Sequence, residues 1–129
     1  MTQIDSEKLK ETNRNYLDRI EREGLYATYD AVLDTLFLEI GDTAEAFNEH
    51  IADNIWLQIA PETLEIVAIE IVDFVSDFLP ANRLVRELIG SWEPESNADV
   101  RIALTDPDLA PIKGAAESLI SSVLAQPSR

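Results

Sequence analysis

The sequence predicts an α+β protein: a four-stranded antiparallel meander flanked by N-terminal and C-terminal helices. Three observations predict it. Apolar residues recur at helical spacing near both ends of the chain, four segments between them alternate apolar with polar, and no helical crossover separates those four.

Residues 5–23 read as one helix, because Leu9, Asn13, Tyr16, Leu17 and Ile20 fall on one face. Asp5 or Ser6 can cap its start, and Gly24 can end it. The period then changes. LYATYD, TLFLEI, NIWLQI and LEIVAIEIVDF are β-branched, aromatic and alternating. Leu36, Leu38 and Ile40 point to one side, and Phe37 and Glu39 to the other; Ile55, Leu57 and Ile59 likewise oppose Trp56 and Gln58. The connections DAVLD, GDTAEAFNEHIAD and APET read as turns or loops, so successive strands are expected to be neighbours. After the sheet, residues 81–89 suit a short helix with Leu84, Val85, Leu88 and Ile89 inward and Gly90 at its end. EPESNAD, 93–99, reads as a linker, and VRIAL, 100–104, fits a helical turn slightly better than a strand. A final helix over about 109–125 carries Ile112, Ala116, Leu119, Ile120, Val123 and Leu124 as one stripe, with Pro111 harmless in its first turn.

At 129 residues and 46% apolar, the chain is expected to form a single domain over 1–129: helix to 24, sheet over 25–74, helical extension beyond. With no cysteine there is neither a disulfide nor a thiolate site. The opening MTQIDSEKLKE is polar, and the longest apolar region is broken by Glu70, Asp73 and Asp77, too often to cross a bilayer. The expectation is a cytoplasmic protein that engages no membrane.

Charge narrows the partners. The formal net charge is −15, and residues 23–82 hold 13 acids without one Lys or Arg. Such a surface repels phosphate, so no nucleic-acid partner is expected. The field favours a basic protein or a cation, while also serving solubility.

Tyr29-Asp30 and Asp34 bracket the first turn. An aspartate there can accept hydrogen bonds from the backbone two residues on, which explains both carboxylates without a substrate. The stretch YDAVLDTLFLEIGD, followed by ADNIWLQIAPETLEIVAIEIVDF, resembles the small bacterial family called Domain of Unknown Function 2283 over residues 26–74. The matching positions are Tyr29, Asp30, Asp34, Leu36, Leu38, Asp53, Ile55, Leu57, Ile66, Ile69, Glu70 and Ile71. Asn54 stands where that family has glycine, and PETLE replaces its Asp-x-x-Gly turn. The resemblance implies a small sheet-plus-helix domain without established activity, some of whose members look like partners of small toxin-like proteins.

No residues are assigned to catalysis, cofactor or metal. His50, the only histidine, falls in the expected loop before the third strand. No serine sits in a G-x-S-x-G frame, and no spacing matches a phosphate or calcium loop. Glu39 and Glu70, with Asp42 and Asp73 near strand ends, could supply oxygen ligands to a divalent ion. Phe37 and Trp56 share the sheet face opposite the aliphatic core and are the candidate interaction surface. The function expected is therefore a non-enzymatic interaction module, a homodimer or the partner of a basic protein. The alternative is a small-ligand or divalent-cation-dependent enzyme or binder on the acidic sheet face.

Overall fold

The computed structural model describes residues 6–41, 45–89, 99–104 and 106–124. Its elements run α1 (Ser6–Thr12), α2 (Tyr16–Glu23), β1 (Leu25–Asp30), β2 (Thr35–Ile40), β3 (Phe47–Ala52), β4 (Ile55–Ile59) and β5 (Ile66–Val72). A π-helical turn (Phe74–Phe78) leads into α3 (Leu79–Ala81) and α4 (Arg83–Ile89). β6 (Ile102–Ala103), a 3-10 turn (Pro107–Leu109) and α5 (Ala110–Leu124) complete the order. The protein is α+β, with an antiparallel sheet and helices at both ends.

The sheet departs from the expected meander. Among the described residues it has six strands in the order β3-β4-β5-β2-β1-β6, so β5, not β4, lies beside β2. β3, β4 and β5 are joined by hairpins, and β5 returns to lie beside β2, which is Greek-key order. β3 thus lies three strand spacings, about 14 Å, from β2. β3 comprises FNEHIA, inside the stretch expected to be a loop. Its polar residues are those of an edge strand, with only Phe47 and Ile51 packed toward the core.

β6 corrects the helical reading of 100–104. The open edge of β1 supplies partners that local sequence does not reveal: the Leu104 amide donates to the Leu25 carbonyl at 2.7 Å and the Asp99 amide to the Tyr29 carbonyl at 2.8 Å. Residues 90–98, including Gly90 and most of the expected linker, lie outside the described residues.

The first helix is also broken, at residues 13–15. Asn13 is 1% exposed, and its amide donates to the carbonyls of Leu9 (2.8 Å) and Leu64 (3.0 Å). Its oxygen accepts from the Ile66 amide at 2.7 Å. A side chain that reaches into the β4–β5 hairpin competes with helical continuation, and the local backbone bonds tighten to three-residue spacing. Arg19, 6% exposed, joins this knot by donating Nη1–H to the Ile66 carbonyl at 3.0 Å. Its Nε lies 3.3 Å from Glu65 and 3.5 Å from Glu23, yet its N–H aligns with neither carboxylate. The contact there is Coulombic and not a hydrogen bond.

Gly24 ends α2 with φ +90°, where a Cβ would come within 2.9 Å of the Tyr26 ring. The core gathers Ile20 from α2, Leu25, Ala27, Leu36, Leu38, Leu57, Ile59, Ile69 and Ile71 from the sheet, Phe74 and Phe78 from the π-helical turn, and Ile112, Ala116 and Ile120 from α5. Both terminal helices therefore pack on the same sheet face. Lys113 pairs with Glu21 at 3.3 Å, and the hydroxyls of Tyr16 and Ser121 are in contact, so α2 and α5 also touch each other. No helix among the described residues is long and apolar enough to cross a membrane.

Candidate interaction face

Strand alternation turns every second residue away from that core. Pairing then lines these residues into rows across the sheet. One row runs His50, Trp56, Glu70, Phe37, Thr28 through β3, β4, β5, β2 and β1. The next row runs Asn48, Gln58, Ala68, Glu39, Tyr26, Ala103 through all six strands. Phe37 and Trp56 are half-buried, and neither belongs to the core or to the side chains packed against it. Among the described residues, no helix covers this face.

The strand order sets what lies between the two aromatics. In a meander, Phe37 and Trp56 would sit on adjacent strands; here β5 separates them and places Glu70 directly opposite both. Directly opposed Cβ atoms are about 5 Å apart, so Glu70 projects from the sheet between the two aromatic residues. Burial pushes the Glu70 carboxyl above its ordinary value. Among the described residues, Glu70 has no ion pair and no hydrogen bond. Glu39 is differently placed. The Arg101 guanidinium stacks over the Tyr26 ring at 3.8 Å, its Nε lies 3.7 Å from the Glu39 carboxylate, and its Nη2 donates to the Gly41 carbonyl at 2.7 Å.

His50 is not in a loop. It occupies the edge strand β3, exposed, with its ring stacked on Trp56 at 4.6 Å. Stacking extends the aromatic row to the sheet edge.

The two turn aspartates are resolved separately. Asp30 accepts from the amides of Val32 and Leu33, both at 3.0 Å, which closes the β1–β2 turn. Asp34 reaches further, and nothing in its local pattern announces it. Its carboxylate accepts from the Tyr29 hydroxyl (2.5 Å), the Val75 amide (2.9 Å), the Ser76 amide (3.1 Å) and the Ser76 hydroxyl (2.7 Å). It thereby caps the π-helical turn, adopting φ +50° to do so. Burial raises the Asp34 carboxyl, but these hydrogen bonds outweigh it and hold the group below its ordinary value. Asn54 has no positive φ, so glycine is not required there. Its amide instead donates to the Val72 carbonyl and to Asp77.

Asp42 lies outside the described residues. Among those described, no group of three or more His, Asp and Glu side chains is placed to hold a metal ion. The melting temperature is expected to be the same in EDTA as in millimolar Ca²⁺. A rise with Ca²⁺ would favour the cation-binding alternative, because a ligand of the folded state stabilises it.

Comparison with protein-family models, with curated proteins and with solved structures finds no match to this chain.

Proposed function

We propose that this chain is a non-enzymatic protein-interaction module that binds its partner with the helix-free sheet face around Phe37 and Trp56. The observation that carries the reading is the placement of both terminal helices on one side of the sheet, which leaves an aromatic row on the other. Rigid aromatic side chains on strands give a large contact area at low entropic cost, and apolar rings beside polar neighbours are what interface centres use. The partner is either a second copy of the chain or a basic protein. The acidic stretch 23–82 favours the basic protein through long-range attraction. Kinship with the Domain of Unknown Function 2283 family belongs to the same proposal and rests on the strands of residues 26–74.

Photocrosslinking tests it. Benzoylphenylalanine at position 37 is expected to give one discrete adduct in cells that make the protein, and the same probe at exposed Glu62 is expected to give none. An adduct of doubled mass identifies a second copy, and any other discrete mass identifies a different partner. No adduct at position 37, or the same pattern at both positions, overturns the proposal.

A further inference from the structure

The sheet face contains one arrangement twice, complete in one row and incomplete in the next. In the complete row, Tyr26 and Glu39 lie opposite each other on β1 and β2, and Arg101 sits on both, stacked on the ring and beside the carboxylate. In the neighbouring row, Glu70 lies opposite Phe37 on one side and Trp56 on the other, with no cation between them among the described residues. We infer that Glu70, flanked by Trp56 and Phe37, receives an arginine side chain from a basic partner protein.

The chemistry fits arginine from three sides. A half-buried carboxylate without a hydrogen bond costs stability until a cation pairs with it. Phe37 and Trp56, the latter stacked on His50 on one side, stand next to it in the row, and an aromatic face attracts a cation through its quadrupole, more so when water is excluded. The guanidinium is planar and weakly hydrated, so it can stack on a ring and pair with a carboxylate at once, as Arg101 does with Tyr26 and Glu39; a lysine ammonium cannot do both as well. Charge selects against a second copy. A two-fold contact across this face would bring two unpaired Glu70 carboxylates toward each other between chains of net charge −15. A cationic partner meets the opposite field: residues 23–82 contain no Lys or Arg, and Arg101 in the neighbouring row is held by Tyr26, Glu39 and the Gly41 carbonyl.

The inference rests on the reading of this face as a partner surface, and its test separates the two. The probe is a hexa-arginine peptide titrated at about 0.15 M salt, where the Debye length of about 8 Å suppresses the diffuse field. A Trp92→Phe background leaves Trp56 as the only tryptophan reporter. Saturable change in Trp56 fluorescence is expected. Glu70→Gln and Phe37→Ala should each weaken binding about tenfold, Glu62→Gln no more than about twofold, and hexa-lysine should bind several-fold more weakly. Glu70→Gln keeps the shape and removes an unpaired charge, so it should fold and melt no lower than the parent; a melt run alongside verifies this. Equal losses for Glu70→Gln and Glu62→Gln, no saturable signal, or equal binding of hexa-lysine would overturn the inference. So would a self-adduct from position 37, which leaves the broader interaction reading standing.

Discussion

Asp34→Ala is expected to cost about 3 kcal/mol of folding stability, against about 1 kcal/mol for Asp30→Ala. The two residues sit four apart in the same turn, yet their hydrogen bonds end in different places. Asp30 satisfies two exposed amides of its own turn, which water can replace. Asp34 joins the β1–β2 turn to the π-helical turn 41 residues later and also receives the hydroxyl of Tyr29, a side chain only 4% exposed. Its backbone carbonyl accepts from the Phe74 amide as well, so carboxylate and main chain hold the same junction. Alanine removes every side-chain acceptor and must adopt φ +50°, a conformation that costs it a further 1 kcal/mol or so. Asp34→Asn tolerates that φ and keeps one acceptor oxygen, so about half the loss is expected.

The pH dependence carries an opposite sign for the two shifted carboxyls. The folded Asp34 group lies below its unfolded value of 3.8, so its stabilisation is fully present above that pH and is lost as pH falls through the folded value. The folded Glu70 group lies above 4.5, so its penalty is present at neutral pH and lifts as pH falls toward 4.5. Urea melts from pH 7 downward should show Asp34→Asn flattening the limb below about pH 4, and Glu70→Gln flattening the region above it. An acid limb unchanged in Asp34→Asn would mean that the carboxylate contributes nothing as a charged acceptor.

Period alone carried four of the six strands and both terminal helices, because a half-buried strand or helix writes its burial pattern into consecutive residues. Period says nothing about which strand lies beside which. The alternation in TLFLEI and NIWLQI places Phe37 and Trp56 on one face, but only the insertion of β5 between them puts Glu70 at the centre of that face. The alternation also puts Glu70 on the polar side, beside Glu39; its position between the two aromatics is what a meander order conceals. β3 and β6 were missed for a related reason: an edge strand can be polar, and a two-residue strand exists only because β1 offers an open edge. Asp34 and Asn13 bind partners 41 and 51 residues away, beyond any window of local pattern.

Asn13 is the position where the largest loss is expected, about 3–5 kcal/mol for Asn13→Ala. In a helical stripe it reads as an apolar-facing residue, and its burial agrees; its work is polar. Removing the amide leaves the Ile66 N–H and the Leu64 carbonyl without this partner inside the hairpin end of the sheet, each at about 1–3 kcal/mol. It also leaves Arg19 without the Asn13 oxygen, 3.4 Å from Nη1, so the guanidinium depends more on a single carbonyl and two misaligned carboxylates. Asn13→Asp separates hydrogen bonding from burial. It keeps the acceptor for Ile66 and gains charge attraction to Arg19, but it turns an oxygen toward the carbonyls of Leu9 and Leu64, where the amide donates. That variant should lose about 2 kcal/mol or more despite being isosteric. Because typical domains are stable by about 5–15 kcal/mol, Asn13→Ala should melt far below the parent, and a double-mutant cycle with Arg19→Met should show coupling of about 1 kcal/mol. A loss under about 1 kcal/mol for Asn13→Ala would show that water replaces the side chain, and that the break between α1 and α2 is not held by this residue.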